Sequence, residues 1–185
     1  MKVCLTAVAV SALGLALAAA ANDYLSAKEK IDRIESDRLK PGSRVELTPG
    51  ELNAYAGHEQ PAGVRNAKLE VPAAGVATGS ALVDFGKLAR AEGWQPGRLM
   101  AMLLDGERPV SVTVRIHSSS GRATVDVQRV DIAGMEIDGA TLDFLIRNVL
   151  MPLYPDVVVG RPFDLGHHIE RLDVQPRAVG VVIGR

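Results

Sequence analysis

The clearest hydrophobic pattern lies between residues 109 and 132, where apolar and polar residues alternate along two stretches joined by a serine- and glycine-rich turn. Alternation places every second side chain on one face of a strand, so it predicts an antiparallel hairpin with one covered face. The apolar positions are Val110, Val112, Val114 and Ile116, then Ala123, Val125, Val127, Val130 and Ile132. The alternation slips by one residue at Gln128–Arg129, which predicts a β-bulge that bends the strand.

Three further stretches predict strands in the same way. Residues 44–47 alternate over one short strand, and residues 166–183 predict a final hairpin. Residues 64–85 predict another hairpin, with its turn at Pro72–Gly75. The predicted inward positions of that hairpin are Ala67, Leu69, Val71, Ala77, Ala81, Val83 and Phe85.

Helical patterns separate these strands. Residues 23–40 mix acids and bases at helical spacing, which predicts a charged surface helix ended by Pro41–Gly42. The sequence TPGE at residues 48–51 has the threonine, proline and glutamate of a capped helix start, and that helix is predicted to end at Gly57. Residues 86–104 predict two short helical pieces with a glycine-containing break between them.

The longest apolar helix is predicted over residues 140–155, where it follows Asp138–Gly139 and is terminated by prolines. Its apolar residues recur at steps of three and four, as on one face of an amphipathic helix. They are Leu142, Leu145, Ile146, Val149, Leu150 and Leu153. The elements together predict the α+β class, with a curled antiparallel β-sheet wrapped around one or two apolar helices.

The N-terminal segment carries one charge, Lys2, before an apolar run that ends in alanines. A basic start, an apolar run and a small-residue end are typical of a secretory signal peptide. An uncleaved membrane anchor is the alternative, since about 18 apolar residues can span a bilayer. The predicted organisation is a signal peptide at residues 1–21, a charged helix at 22–43 and a single α+β domain at 44–185. After cleavage of the signal peptide, the protein is predicted to be periplasmic or secreted.

Composition narrows the possible chemistry. The single cysteine, Cys4, lies in the predicted signal peptide, so the mature chain would have no disulfide and no thiol nucleophile. The formal charge of −1 and the lack of a basic patch argue against nucleic acid as a partner. The sequence contains neither a phosphate-binding glycine motif nor a G-x-S-x-G motif, and no cofactor is predicted.

The adjacent histidines His167 and His168 raise the question of a metal or catalytic site. In the strand predicted from Gly166 to Val174 they would point to opposite faces and could not bind one metal ion. A site would need one of these imidazoles to meet another histidine and a carboxylate. The candidates are His58, His117, Glu59 and Asp164. Nothing in the sequence indicates such a meeting, so strand histidines in solvent or packing are favoured, and no metal ligand or catalytic residue is predicted.

Residues 98–104 are apolar nearly all round and follow Trp94. A plain core helix is the favoured interpretation. The alternative is one wall of an apolar ligand site, because methionine-rich surfaces adapt to irregular partners.

Several stretches resemble small exported bacterial proteins whose architecture is that of a single lobe of the tubular lipid-binding (TULIP) superfamily. The stretches are VELTPGELNAY, ALVDFGKL, LLDGERPVSVTVRI, GRATVDVQRVDIAGMEI, FDLGHHIERLDV and VGVVI, between residues 44 and 183. The resemblance implies an apolar groove between sheet and helix that holds acyl chains. The positions it implies as ligand-binding are Trp94, Leu99, Met100, Met102, Leu103, Leu142, Leu145, Ile146 and Val149.

Three functions follow as hypotheses. The first is an exported, non-enzymatic binder of a lipid or another apolar small molecule. The second is a structural or interaction module of the cell envelope, with an envelope protein or a membrane surface as partner. The third is a hydrolase, which would require His117, His167 or His168 to converge with a carboxylate.

Overall fold

The computed structural model describes residues 21–91, 106–147 and 159–185, and the element labels refer to these residues. Helix α1 includes residues 21–35. The other helices are α2 (Pro49–His58), α3 (Phe85–Ala91) and α4 (Gly139–Leu145). The strands are β1 (Arg44–Leu47), β2 (Val64–Ala73), β3 (Val76–Asp84), β4 (Glu107–Ser119), β5 (Arg122–Ile132), β6 (Met135–Ile137), β7 (Phe163–Asp164), β8 (Ile169–Gln175) and β9 (Ala178–Ile183).

These strands form two antiparallel sheets, which confirms the α+β class and the antiparallel pairing. The larger sheet has the order β2-β3-β4-β5-β6, with β7 also paired to β5, and the smaller has the order β1-β9-β8. The expected single sheet is therefore divided in two. The reason is that the C-terminal hairpin pairs through β9 with the N-terminal strand β1 and does not extend the larger sheet.

The β-bulge predicted in β5 is confirmed. Thr113 pairs with Arg129, but its neighbour Val114 pairs with Val127, so Gln128 is an extra residue on β5. The extra residue shifts the alternation of side chains. As a result Val127 and Val130, three positions apart, both contribute to the larger core.

Leu69 lies on the face predicted as inward, since it pairs with Gly79 on the face that Ala81 and Val83 share, but it is 37% exposed there. Asn66 has a left-handed backbone, with φ at 54°, and the pairing of β2 with β3 shifts between Arg65 and Lys68. This irregularity inserts an extra residue into β2, so Val64 and Leu69 share a face although their positions differ in parity. The turn of the hairpin is also shorter than predicted, since Ala73 already pairs with Val76.

Each sheet has its own hydrophobic core. The buried residues of the larger core are Val83, Phe85, Leu88, Val130, Ile132 and Leu145. The smaller core joins α1 to the smaller sheet through Ile34, Val45, Val181 and Ile183. The charged helix is thus part of the folded structure, although it ends earlier than predicted. Residues 36 and 37 form a turn, and Asp37 has a left-handed φ of 55°, which stops the helix.

Helix α1 is also attached to α2 by polar contacts. Glu51 is only 5% exposed, and its Oε1 accepts hydrogen bonds from Lys30 Nζ at 2.6 Å and Ser26 Oγ at 2.5 Å. Glu51 Oε2 accepts from the backbone N–H of Thr48 at 2.8 Å, which completes the capping box predicted for α2. One carboxylate therefore caps α2 and holds α1 against it.

The two sheets meet where the turns of the larger sheet contact β8. The N–H groups of Gly75 and Gly121 donate to the carbonyls of Val174 and Glu170, each at 2.9 Å. Between them Ser118 Oγ accepts from Leu172 N at 2.8 Å and donates to Leu172 O at 3.0 Å. These bonds occupy the edge of β8 that faces away from β9, an edge that would otherwise be open to pairing.

Candidate ligand-binding site

A cavity of about 170 Å³ lies between the larger sheet and the helices α3 and α4. Every lining residue among those that the structure describes is apolar. The sheet contributes Val64, Val83, Val110, Val112, Val127, Val130 and Ile132, and the helical side contributes Phe85, Leu88, Leu142, Leu145 and Ile146. A lining of this kind suits an apolar ligand, since these side chains offer no hydrogen bonds to water.

The side of the cavity that the sheet forms depends on two features predicted from the sequence, the alternation along β4 and the bulge in β5. Val110 and Val112 alternate along β4, so their side chains share one face. Val130 on β5 pairs with Val112 on β4, and the bulge at Gln128 brings Val127 onto the same face as Val130. Without the extra residue, one of these two valines would face away from the cavity.

The helical wall is positioned by the sharp junction between β3 and α3. Asp84 is the last residue of β3, and its Oδ1 accepts a hydrogen bond from the backbone N–H of Lys87 at 2.9 Å. That bond lowers the pKa of Asp84 and satisfies a free N–H in the first turn of α3. The helix therefore begins directly at Phe85, and Phe85 and Leu88 are both buried against the sheet.

Of the predicted ligand-binding positions, Leu142, Leu145 and Ile146 line this cavity. The other predicted positions are Trp94, Leu99, Met100, Met102, Leu103 and Val149, all of which lie outside the described residues. The second half of the helix predicted over residues 140–155 also lies outside them.

Most of the lining was missed as a site, although it was predicted as an inward face. The alternation in residues 109–132 already grouped Val110, Val112 and Val127, but a core face and a cavity face have the same pattern. Whether such a face becomes a filled core or one wall of a cavity depends on how closely the helices approach the sheet. No local sequence pattern indicates that distance. The cavity is also smaller than the roughly 300–1,000 Å³ of typical ligand sites.

The prediction that His167 and His168 are strand residues is wrong. They form a turn before β8, with left-handed φ values of 45° and 53°. The turn is closed by the bond from Ile169 N to Gly166 O at 2.9 Å, and His168 O accepts from Gly184 N at 2.7 Å. Contacts with the end of β9 thus stabilise a conformation that the local sequence does not favour.

His58 and His167 lie in different environments. His167 Nδ1 is 3.2 Å from Asp37 Oδ1, just after α1. His58 stacks on Tyr24 with ring centroids 3.9 Å apart, and its Nδ1 is 3.3 Å from Glu59 Oε1. Over residues 21–91, 106–147 and 159–185, no group of three or more histidine, cysteine, aspartate or glutamate residues could hold a metal ion.

In the same described ranges, no helix has the length and apolar character needed to cross a membrane. Comparisons of the chain with protein-family models, curated proteins and solved structures found no match.

Proposed function

We propose that this protein is an exported, non-enzymatic binder of a lipid or another apolar small molecule, and that the ligand occupies the cavity between the larger sheet and helices α3 and α4. The observation that carries the proposal is that all the described residues lining that cavity are apolar. Burial of apolar surface is the main favourable contribution to binding such a ligand.

Two further expectations belong to the proposal. The first is that the larger sheet curls around α4 as in a TULIP-like lobe; the bulge in β5 supports this, because bulges bend strands. The second is export, which rests on the signal-peptide pattern of residues 1–21. The size of the cavity favours a single acyl chain or a ring, since a cavity of about 150 Å³ lined by similar residues takes up benzene.

Native mass spectrometry tests the proposal on protein expressed as the full chain and purified without detergent. We expect an added mass that disappears on denaturation and that extraction identifies as an apolar molecule. We expect Val112→Phe, which fills the cavity, to reduce the bound fraction by about tenfold or more.

The matched control is Val182→Phe, because Val182 lies on β9 of the smaller sheet, away from the cavity. It should retain the bound mass. An apo spectrum, together with no uptake of an added apolar ligand, would reject the proposal. Equal loss of ligand in both variants would show that the ligand does not occupy this cavity.

The interaction module is the second candidate, and one observation favours it. Leu25 on α1 is 63% exposed and lines a surface groove of about 630 Å³ together with Leu39 and charged residues. A groove that combines two leucines with a rim of charged side chains suits a protein partner. If an envelope protein is captured by cross-linking from α1, Leu25→Asp should abolish the cross-link without changing ligand binding.

A further inference from the structure

The register of the larger sheet brings a cationic side chain next to the apolar cavity. Arg108 pairs directly with Val83 across β3 and β4, and it precedes Val110 by two residues on the same strand. Directly paired residues have Cβ atoms about 4.5–5.5 Å apart, and alternate residues share a face. Since Val83 and Val110 both line the cavity, Arg108 lies on the cavity face of the sheet, at the end of the lining.

The guanidinium of Arg108 has an unsatisfied donor. Its Nε is buried, and in the part of the chain that the structure describes it is the one buried side-chain nitrogen or oxygen without a hydrogen-bond partner. Buried polar groups are nearly always paired in folded proteins, because an unpaired one has lost its water without replacement. The position is thus one where an acceptor on a ligand would be stabilising.

Neighbouring cations do not share this property. Arg65 donates to both carboxylate oxygens of Glu107 at 2.6 Å, and this contact lowers the pKa of Glu107. Lys87 Nζ lies 3.3 Å from Asp84 Oδ2. Glu107 and Asp84, the described acids near this end of the sheet, are therefore paired with other bases, and no carboxylate among the described residues bonds to Arg108.

We propose that the ligand of the cavity is a single-chain fatty acid, with its chain among the valines and leucines and its carboxylate on Arg108. This inference rests on the proposed function and specifies its ligand class. A guanidinium forms strong, directional hydrogen bonds with a carboxylate, more so where water is excluded. The volume of about 170 Å³ suits part of one chain and is too small for the two chains of a phospholipid.

The test compares decanoate with 1-decanol by isothermal titration calorimetry on the purified full-chain product. The two probes share a chain and differ in the head group. For the unaltered protein we expect decanoate to bind at least about tenfold more tightly than decanol. In Arg108→Gln this preference should vanish, while decanol affinity stays the same and shows that the cavity is intact.

Arg115→Gln is the matched control, because Arg115 is on the same strand but at an odd position, on the opposite face from Arg108. It should keep the preference for decanoate. Equal binding of decanoate and decanol by the unaltered protein would overturn the inference and leave the proposed function standing. Binding of neither probe would overturn both, and co-purification of a two-chain phospholipid would overturn the single-chain assignment.

Discussion

Among the described titratable groups, the carboxyl of Glu51 has the pKa that departs furthest from its ordinary value. Burial acts to raise this pKa, but the hydrogen bonds from Lys30, Ser26 and the Thr48 backbone outweigh burial and lower it to about 2. A buried carboxylate is stable only when it is paired in this way. The fold therefore depends on Glu51 staying ionised.

This dependence predicts how stability varies with pH. Because the folded-state pKa of Glu51 lies below its ordinary value of 4.5, its contribution is present above pH 4.5 and is lost as the pH falls toward 2. We expect Glu51→Gln to remove up to about 3 kcal/mol of acid-sensitive stability. Urea unfolding of both proteins at a series of pH values from neutral to acidic measures the difference.

Glu46→Gln serves as the comparison, since Glu46 is an exposed partner of Arg44. Its effect should stay within about 1 kcal/mol at every pH, as for other surface ion pairs. If the unaltered protein and Glu51→Gln lost stability in parallel on acidification, the assigned role of Glu51 would be wrong.

The sequence predicts one of the two roles of Glu51, the capping of α2, but not the other. The TPGE pattern places Glu51 three residues after Thr48, so the capping box could be read locally. The other role depends on Lys30 and Ser26, which are 21 and 25 residues away in the chain. No periodicity links residues at such separations, and the buried ion pair could not be predicted.

At the scale of elements, the junction between β3 and α3 requires a glycine on the neighbouring chain segment. Gly63 has φ at 90°, and a Cβ there would be 2.9 Å from both Asp84 O and Leu88 N. These are backbone atoms, which cannot move aside without shifting α3. The close approach therefore fixes the helix that forms one wall of the cavity.

We expect Gly63→Ala to lower the free energy of unfolding by more than about 2 kcal/mol, through both the left-handed backbone and the steric overlap. Gly57→Ala is the matched change, because Gly57 lies within α2 and a Cβ there meets no atom within 4 Å. It should stabilise the protein by about 0.5–1 kcal/mol. Urea unfolding measures both, and similar small effects of the two changes would contradict the assigned role of Gly63.

The elements differ in how far the sequence predicts them. The bulge at Gln128 could be predicted because a slip in alternation is a local signal. The register shift of β2 could not, because no local pattern marks the left-handed Asn66 at which it occurs. Nor could the separation of β8 and β9 from the larger sheet, which depends on pairing β9 with residues more than a hundred positions earlier.

At the scale of the whole molecule, the two cores are connected through the outer edge of β8 and through α2, whose Asn53 exchanges hydrogen bonds with the backbone of Leu69 on β2. The larger core lies under α3 and α4, and the smaller core lies under α1. The side chain of Ser118 links the larger sheet to the smaller one, with hydrogen bonds to both backbone groups of Leu172. We therefore expect the cooperativity of unfolding to depend on the hydrogen bonds between Ser118 and Leu172 more strongly than on those of an ordinary single hydroxyl.

Ser118→Ala tests that connection. It leaves the N–H and carbonyl of Leu172 without their partner, and we expect a loss of about 1–3 kcal/mol. Because β9 and α1 still hold β8, the smaller sheet should open separately from the larger one. Hydrogen exchange should then quicken at the amides of β8 and β9 while those of β3 and β4 keep their protection. Ser119→Ala, at the exposed neighbouring residue, should change neither the free energy of unfolding nor the exchange rates. Uniform quickening in both sheets would mean that the two cores remain one cooperative unit and that Ser118 does not couple them.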